Sequence, residues 1–115
     1  MRLFVYGTLK RGEPRHRFLA RQTFVAVAST RPLYRLYNLG DYPGLVPSPN
    51  GLSVQGELWD VDEACLKQLD LVEGCDAGLY RRGQVEMAPP HDALSTVTYL
   101  YQRSLEGASD CGPRW

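Results

Sequence analysis

Only one stretch of this chain has the periodicity of an α-helix long enough to fold onto a core. Val61, Cys65, Leu66, Leu69 and Val72 recur at spacings of three and four, which predicts a helix over residues 62–72. Asp60, with Glu63 three residues later, resembles a capping box with Asp in place of Ser or Thr. Gly74 suits the left-handed residue that ends such a helix. Elsewhere the apolar residues fall in short runs rich in β-branched and aromatic side chains. Strands are expected at 3–6, 23–29, 33–38, 54–61, 79–87 and 94–102. A turn follows at 7–12, and Pro14 near a first turn suggests a short helix over 14–21. Residues 39–51 hold three prolines and three glycines and read as a loop with room for a short extended piece. Pro89-Pro90-His91-Asp92 turns between the last two strands, making them a long-looped hairpin. The polar segment 104–115 is expected to cover the barrel or to fray. Six strands and one good helix do not alternate as βαβ units. The expectation is a single α+β domain over 1–115, mainly antiparallel, closed as a small β-barrel with one or two flanking helices.

A chain of 115 residues buries roughly two-thirds of its unfolded surface, enough for one core without staples. Cys65, Cys75 and Cys111 are odd in number and lack metal-knuckle spacing, so a disulfide framework is not expected and a reducing cytoplasm is the expected compartment. His16 and His91 stand far apart with no Cys nearby, which disfavours a structural zinc site or a Ser-His-Asp triad. The longest apolar run, 24–28, is far below the ~20 residues of a membrane span, and the first residues lack a signal-peptide stretch. Net charge is zero, which argues against broad nucleic-acid binding. The zero hides a division: residues 1–40 carry eight basic residues and one acid, and residues 41–115 carry five basic residues and twelve acids. Either the halves interleave and cancel locally, or a basic segment lines a site for a small anion.

Two segments can carry chemistry. In Tyr6-Gly7-Thr8-Leu9-Lys10-Arg11-Gly12 a strand runs into a sharp turn. Gly7, lacking Cβ, would let a ligand approach the main chain, and successive turn amides can hold an anion. A Gly-Thr turn with two exposed bases is also ordinary surface. In Leu69-Asp70-Leu71-Val72-Glu73-Gly74, Glu73 falls at the helix end, where the helix dipole disfavours negative charge. Partly buried there, it would have a raised pKa and serve as a base; solvated, it would be a plain neighbour of the capping glycine.

The order of these motifs resembles the γ-glutamylcyclotransferase-like family, in particular its small bacterial and γ-glutamylamine cyclotransferase members. Tyr6-Gly7-Thr8-Leu9 is followed by Leu36-Tyr37-Asn38-Leu39-Gly40-Asp41-Tyr42-Pro43, then by Val54-Gln55-Gly56-Glu57-Leu58-Trp59, then by the Glu73-Gly74 segment and Tyr80-Arg81-Arg82. The family's Ser-Gly-Asp-type tail motif is only echoed in Ala108-Ser109-Asp110-Cys111-Gly112, so no role is carried over there. The resemblance implies a small, mixed, largely antiparallel barrel and an enzyme that cyclises a γ-glutamyl amide to 5-oxoproline. It implies Glu73 as catalytic acid/base and Tyr6, Gly7, Thr8 and Leu9 as the substrate-binding loop. Tyr80 is either a further cavity contact or barrel core with its hydroxyl satisfied. Neither metal nor cofactor is expected, and the expected partner is a small γ-glutamyl substrate rather than nucleic acid or membrane. The alternative is a module on the same fold that binds small carboxylates without turnover.

Overall fold

In a computed structural model describing residues 1–115, the first apolar run forms β1 (Arg2–Val5), a strand buried on both faces. Leu3 and Val5 point into one cluster of buried side chains, and Phe4 and Tyr6 into another. The period of two along a strand turns an unbroken apolar run into two cores.

The other strands are β2 (Thr23–Ser29), β3 (Tyr34–Asn38), β4 (Pro43–Pro47), β5 (Gln55–Asp60), β6 (Tyr80–Gln84), β7 (Thr96–Tyr101) and β8 (Ser109–Gly112). One α-helix, α1 (Glu63–Val72), and two short 3-10 turns, His16–Leu19 and Cys75–Ala77, complete the chain. The strands form one sheet in the order β2-β5-β1-β7-β4-β3-β8, with β6 also paired to β7. Pairings are antiparallel except β1–β7 and β4–β7. The expected α+β architecture is therefore present as a curled, mostly antiparallel half-barrel with one helix. Arg31 N–H donates to Glu86 O (2.9 Å) and Ala88 N–H to Ser29 O (3.0 Å), drawing the segment after β6 onto the end of β2. No helix is long and apolar enough to cross a membrane.

Two expected loops supply strands. Within 39–51, β4 pairs in register with β3, its prolines confined to its two ends; a missing N–H is tolerated at a strand's first residue. The segment 104–115 supplies β8, which pairs with β3. Beyond it Gln55 N–H donates to Pro113 O (2.7 Å), and Trp115 packs on the second core. The expected helix at 14–21 is only a 3-10 turn over His16–Leu19.

The helix begins differently from the expected capping box. Asp62, with extended backbone, accepts the Cys65 N–H through its side chain (2.7 Å). Asp60 is still the last residue of β5 and faces Arg2 at 3.3 Å. The strand must finish before the helix can start, so the cap falls two residues later.

The sheet forks at β7. One edge of β7 is taken along its length by β6, from Tyr80↔Tyr101 to Gln84↔Val97. The other edge serves β1 at Thr96 and Val97 and β4 at Leu100. Between those contacts two hydroxyls complete the ladder. Thr98 Oγ1 donates to Phe4 O (2.8 Å); Tyr6 Oη donates to Tyr99 O (2.6 Å) and accepts from Leu45 N–H (3.3 Å). Backbone groups left open by the diverging strands thus stay paired, as buried backbone must.

Candidate active site

A cleft opens at this fork. It encloses about 340 Å³ of space, part of it open to solvent. The end of β1, the turn 7–9, the start of β4, the end of α1 and residues of β6 and β7 form its walls, and all six residues singled out from sequence (Tyr6, Gly7, Thr8, Leu9, Glu73 and Tyr80) line it. Tyr42, Pro43 and Tyr99 also line it and escaped the sequence reading as site residues, although Tyr42-Pro43 sits inside a quoted motif.

Glu73 arrives there because α1 stops on it. Leu66 and Leu69 anchor the helix in the first core, and Glu73 is its C-terminal cap, donating its N–H to Leu69 O (2.8 Å). Gly74 then adopts φ +66°, a left-handed turn that favours glycine. The chain doubles back through Cys75–Ala77 and enters β6 at Tyr80, so Glu73 and Tyr80 meet in one cleft.

Two glutamates are each 8% exposed, and their environments oppose each other. Glu57 accepts the Arg11 N–H (3.1 Å), the Arg11 Nε–H (3.1 Å) and the Trp59 Nε1–H (3.2 Å). Burial pushes its pKa up, but these donors and the Arg11 charge outweigh it and hold the carboxyl below its ordinary value. Glu73 accepts no hydrogen bond from protein. Burial is the largest influence on it and raises its pKa from 4.5 to about 7, with only the Arg15 charge opposing. The expectation of a raised pKa for a Glu73 partly buried at the helix end is matched in direction, with burial as the cause.

The turn beside Glu73 is fixed from behind. Lys10 N–H donates to Gly7 O (3.1 Å), Arg15 N–H to Thr8 O (2.9 Å), and Arg11 is tied to Glu57. The N–H groups of Gly7, Thr8 and Leu9 donate to no acceptor in the chain. Packing places its own demand on Gly7: a Cβ there would lie 2.4 Å from Pro43 Cγ. The close approach is between two walls of the cleft.

The tyrosines are committed to structure. Tyr80 Oη donates to Pro43 O (2.6 Å), so the alternative of a satisfied core tyrosine holds for its hydroxyl, while its ring still faces the cleft. Burial, then the nearby Glu73, push the Tyr80 pKa well above 10. Tyr6 likewise spends its hydroxyl on the fork. Tyr99 Oη donates to Asp70 Oδ1 (2.8 Å), which also faces Arg82 Nε at 3.3 Å, tying α1 to β6 and β7.

The division of charge along the chain resolves into interleaving. Arg2–Asp60, Arg11–Glu57 and Arg35–Asp110 each pair a base of the first 40 residues with an acid of the remainder.

A buried carboxyl without a hydrogen-bond partner and the free amides of the 7–9 turn thus line one cleft, together with aromatic rings. The chain matches the profile "Gamma-glutamyl cyclotransferase, AIG2-like" over residues 3–114. A Vibrio cholerae relative is 45% identical over 110 residues, covering 96% of this chain and 91% of its own. The Escherichia coli K12 "Gamma-glutamylcyclotransferase family protein YtfP" is 36% identical over 107 residues, covering 93% of this chain and 88% of its own. A mouse AIG2-like protein of known structure superposes with a TM-score of 0.78 at 32% identity, over 91% of this chain and 80% of that one. The chain belongs to the AIG2-like γ-glutamyl cyclotransferase family, and is by that membership a cyclotransferase-type enzyme.

Proposed function

We propose that the protein converts a γ-glutamyl amide to 5-oxoproline and a free amine, with Glu73 as the acid/base. The observation that carries this is the unpartnered, buried Glu73 carboxyl sharing a cleft with the free amides of Gly7, Thr8 and Leu9. A rat relative, 38% identical over 93 residues and covering 74% of this chain and 62% of its own, is named a gamma-glutamylaminecyclotransferase, which supports the substrate class.

The amides of the turn take the substrate's α-carboxylate. Glu73 removes a proton from the α-ammonium; with a pKa of about 7 it is near the ~7.7–8.0 of an α-amino group, so the transfer is close to balanced. The freed nitrogen attacks the γ-carbonyl carbon of the same molecule. Its loss of a second proton leaves a lactam nitrogen. The bond from the γ-carbon to the amide nitrogen breaks as Glu73 returns a proton to that nitrogen. Two protons pass in all from the α-nitrogen to the departing amine, and no water is consumed. Since both reacting atoms belong to one molecule, the protein's main task is to hold a folded conformer, and the aromatic walls supply the shape.

The test is to incubate the protein with a panel of γ-glutamyl amines and γ-glutamyl amino acids and assay 5-oxoproline. Release from at least one member is expected. Carboxylate-dependent thermal stabilisation with no product across the panel would overturn the reading and leave a carboxylate-binding module.

A further inference from the structure

His16 has no part in the reaction described above, yet its side chain is bonded to the turn that carries the free amides. The imidazole Nδ1 lies 3.0 Å from Leu9 O. A carbonyl only accepts, so Nδ1 carries the hydrogen and donates it. The half-buried ring rests against Trp59, with 5.2 Å between centroids. Trp59 is itself fixed: it is buried in the first core and donates its Nε1–H to Glu57 (3.2 Å).

What this bond controls follows from peptide geometry. The peptides of the turn are planar and trans, so a carbonyl and the N–H of the next residue point opposite ways. Fixing a carbonyl therefore aims the amide behind it. His16 fixes Leu9 O, and the N–H of that same peptide, on Lys10, donates to Gly7 O (3.1 Å). Gly7 O shares its peptide with the N–H of Thr8, one of the three free amides. The hydrogen bonds thus run one way, from imidazole to Leu9 carbonyl and from Lys10 amide to Gly7 carbonyl, with the Thr8 N–H at the open end. Bonds in such a chain strengthen one another by about 10–30% each.

We infer that His16 is a positioning residue for the substrate's α-carboxylate: through the Leu9–Lys10 and Gly7–Thr8 peptides, its Nδ1–H orients and polarises the Thr8 N–H. The inference rests on the proposed cyclisation, in which the turn amides hold that carboxylate. The carboxylate is held alike before and during the reaction, so losing the imidazole acts on KM and not on kcat.

The test measures kcat and KM of wild type, His16→Ala and His16→Asn on a γ-glutamyl amide that the wild type turns over. His16→Ala should raise KM by about 3–10-fold at unchanged kcat, the effect of weakening a charge-assisted hydrogen bond without deleting it. Asn can place an N–H close to the position of Nδ1–H, so His16→Asn should recover most of the loss. A second arm needs no turnover. Each protein is titrated by calorimetry with 5-oxoproline and with 5-oxoprolinamide, which differ only in the charged carboxylate. His16→Ala should lose affinity for 5-oxoproline by the same factor and bind 5-oxoprolinamide as wild type does. A fall in kcat at unchanged KM, an equal loss for both ligands, a loss that Asn does not recover, or no binding of 5-oxoproline by wild type overturns the inference. If no γ-glutamyl compound is turned over, the cyclisation fails and the calorimetry decides the inference alone. If His16→Ala does not fold, nitrogen NMR of wild type decides it. The imidazole hydrogen should be on Nδ1 and the Thr8 amide should shift on adding 5-oxoproline; a bare Nδ1 or an unmoved Thr8 amide overturns it.

Discussion

Replacing Glu73 by Gln should remove catalysis and make the protein more stable at neutral pH, and the size of that gain follows from the site. The Glu73 pKa is raised by burial from 4.5 to about 7, with no hydrogen bond to compensate. Below pH 4.5 the carboxyl is neutral both folded and unfolded, and its titration costs nothing. As pH rises from 4.5 toward 7 the unfolded chain releases the proton that the folded protein retains, so the folded state loses stability. Above pH 7 the loss levels off. A shift of this size corresponds to about 3 kcal/mol at roughly 1.4 kcal/mol per pH unit. Glu73→Gln removes the titration while keeping the shape. Urea unfolding of both proteins from pH 4 to pH 8 should show the variant gaining about 3 kcal/mol relative to wild type across that range, or about 10 °C in Tm for a chain of this length. Using the change across pH cancels any fixed cost of the amide. A difference independent of pH, or one of opposite slope, would refute the argument that Glu73 is buried without a partner.

Other outcomes follow from the same contacts. Glu57→Gln should show the reverse pH signature: the stabilisation by the Arg11 donors is present above the ordinary carboxyl pKa and lost as pH falls through the lowered one, so wild type should lead the variant at pH 7 by a margin that shrinks as pH falls below the ordinary carboxyl range. Tyr6→Phe leaves Tyr99 O and Leu45 N–H without the Tyr6 hydroxyl at the fork and should cost about 2–6 kcal/mol in urea unfolding, at ~1–3 kcal/mol per buried orphan. Gly7→Ala drives a Cβ into Pro43 and should cost about 1–3 kcal/mol while raising KM by displacing the turn. Arg15→Gln removes the one charge that lowers the Glu73 pKa, so the rising limb of the kcat/KM profile should move to higher pH; movement to lower pH would contradict the assignment of that limb to Glu73.

What could be read from the sequence was local. The turn 6–9, the helix end at Glu73 and Tyr80 each sit in short contiguous motifs, and α1 and its Gly74 stop follow from spacing and one glycine. The half-barrel was legible because short β-rich runs with one helix leave few other packings. The unread features depend on distant partners. Nothing near Leu3 indicates that β7 must share one edge between β1 and β4. A proline-rich stretch gains strand character only once β3 pairs with it, and the tail becomes β8 only when the other edge of β3 is open. The packing demand on Gly7 was not legible because Pro43, 36 positions away, could not be placed beside it.

The central claim is that Glu73 moves the proton in a cyclisation within this cleft. The most direct measurement is 5-oxoproline release by wild type and Glu73→Gln on one γ-glutamyl substrate, with substrate binding to both followed by calorimetry. Binding by both proteins, with turnover lost by about 10²–10⁴-fold in the variant, is the predicted result. Equal turnover by the two would contradict the claim.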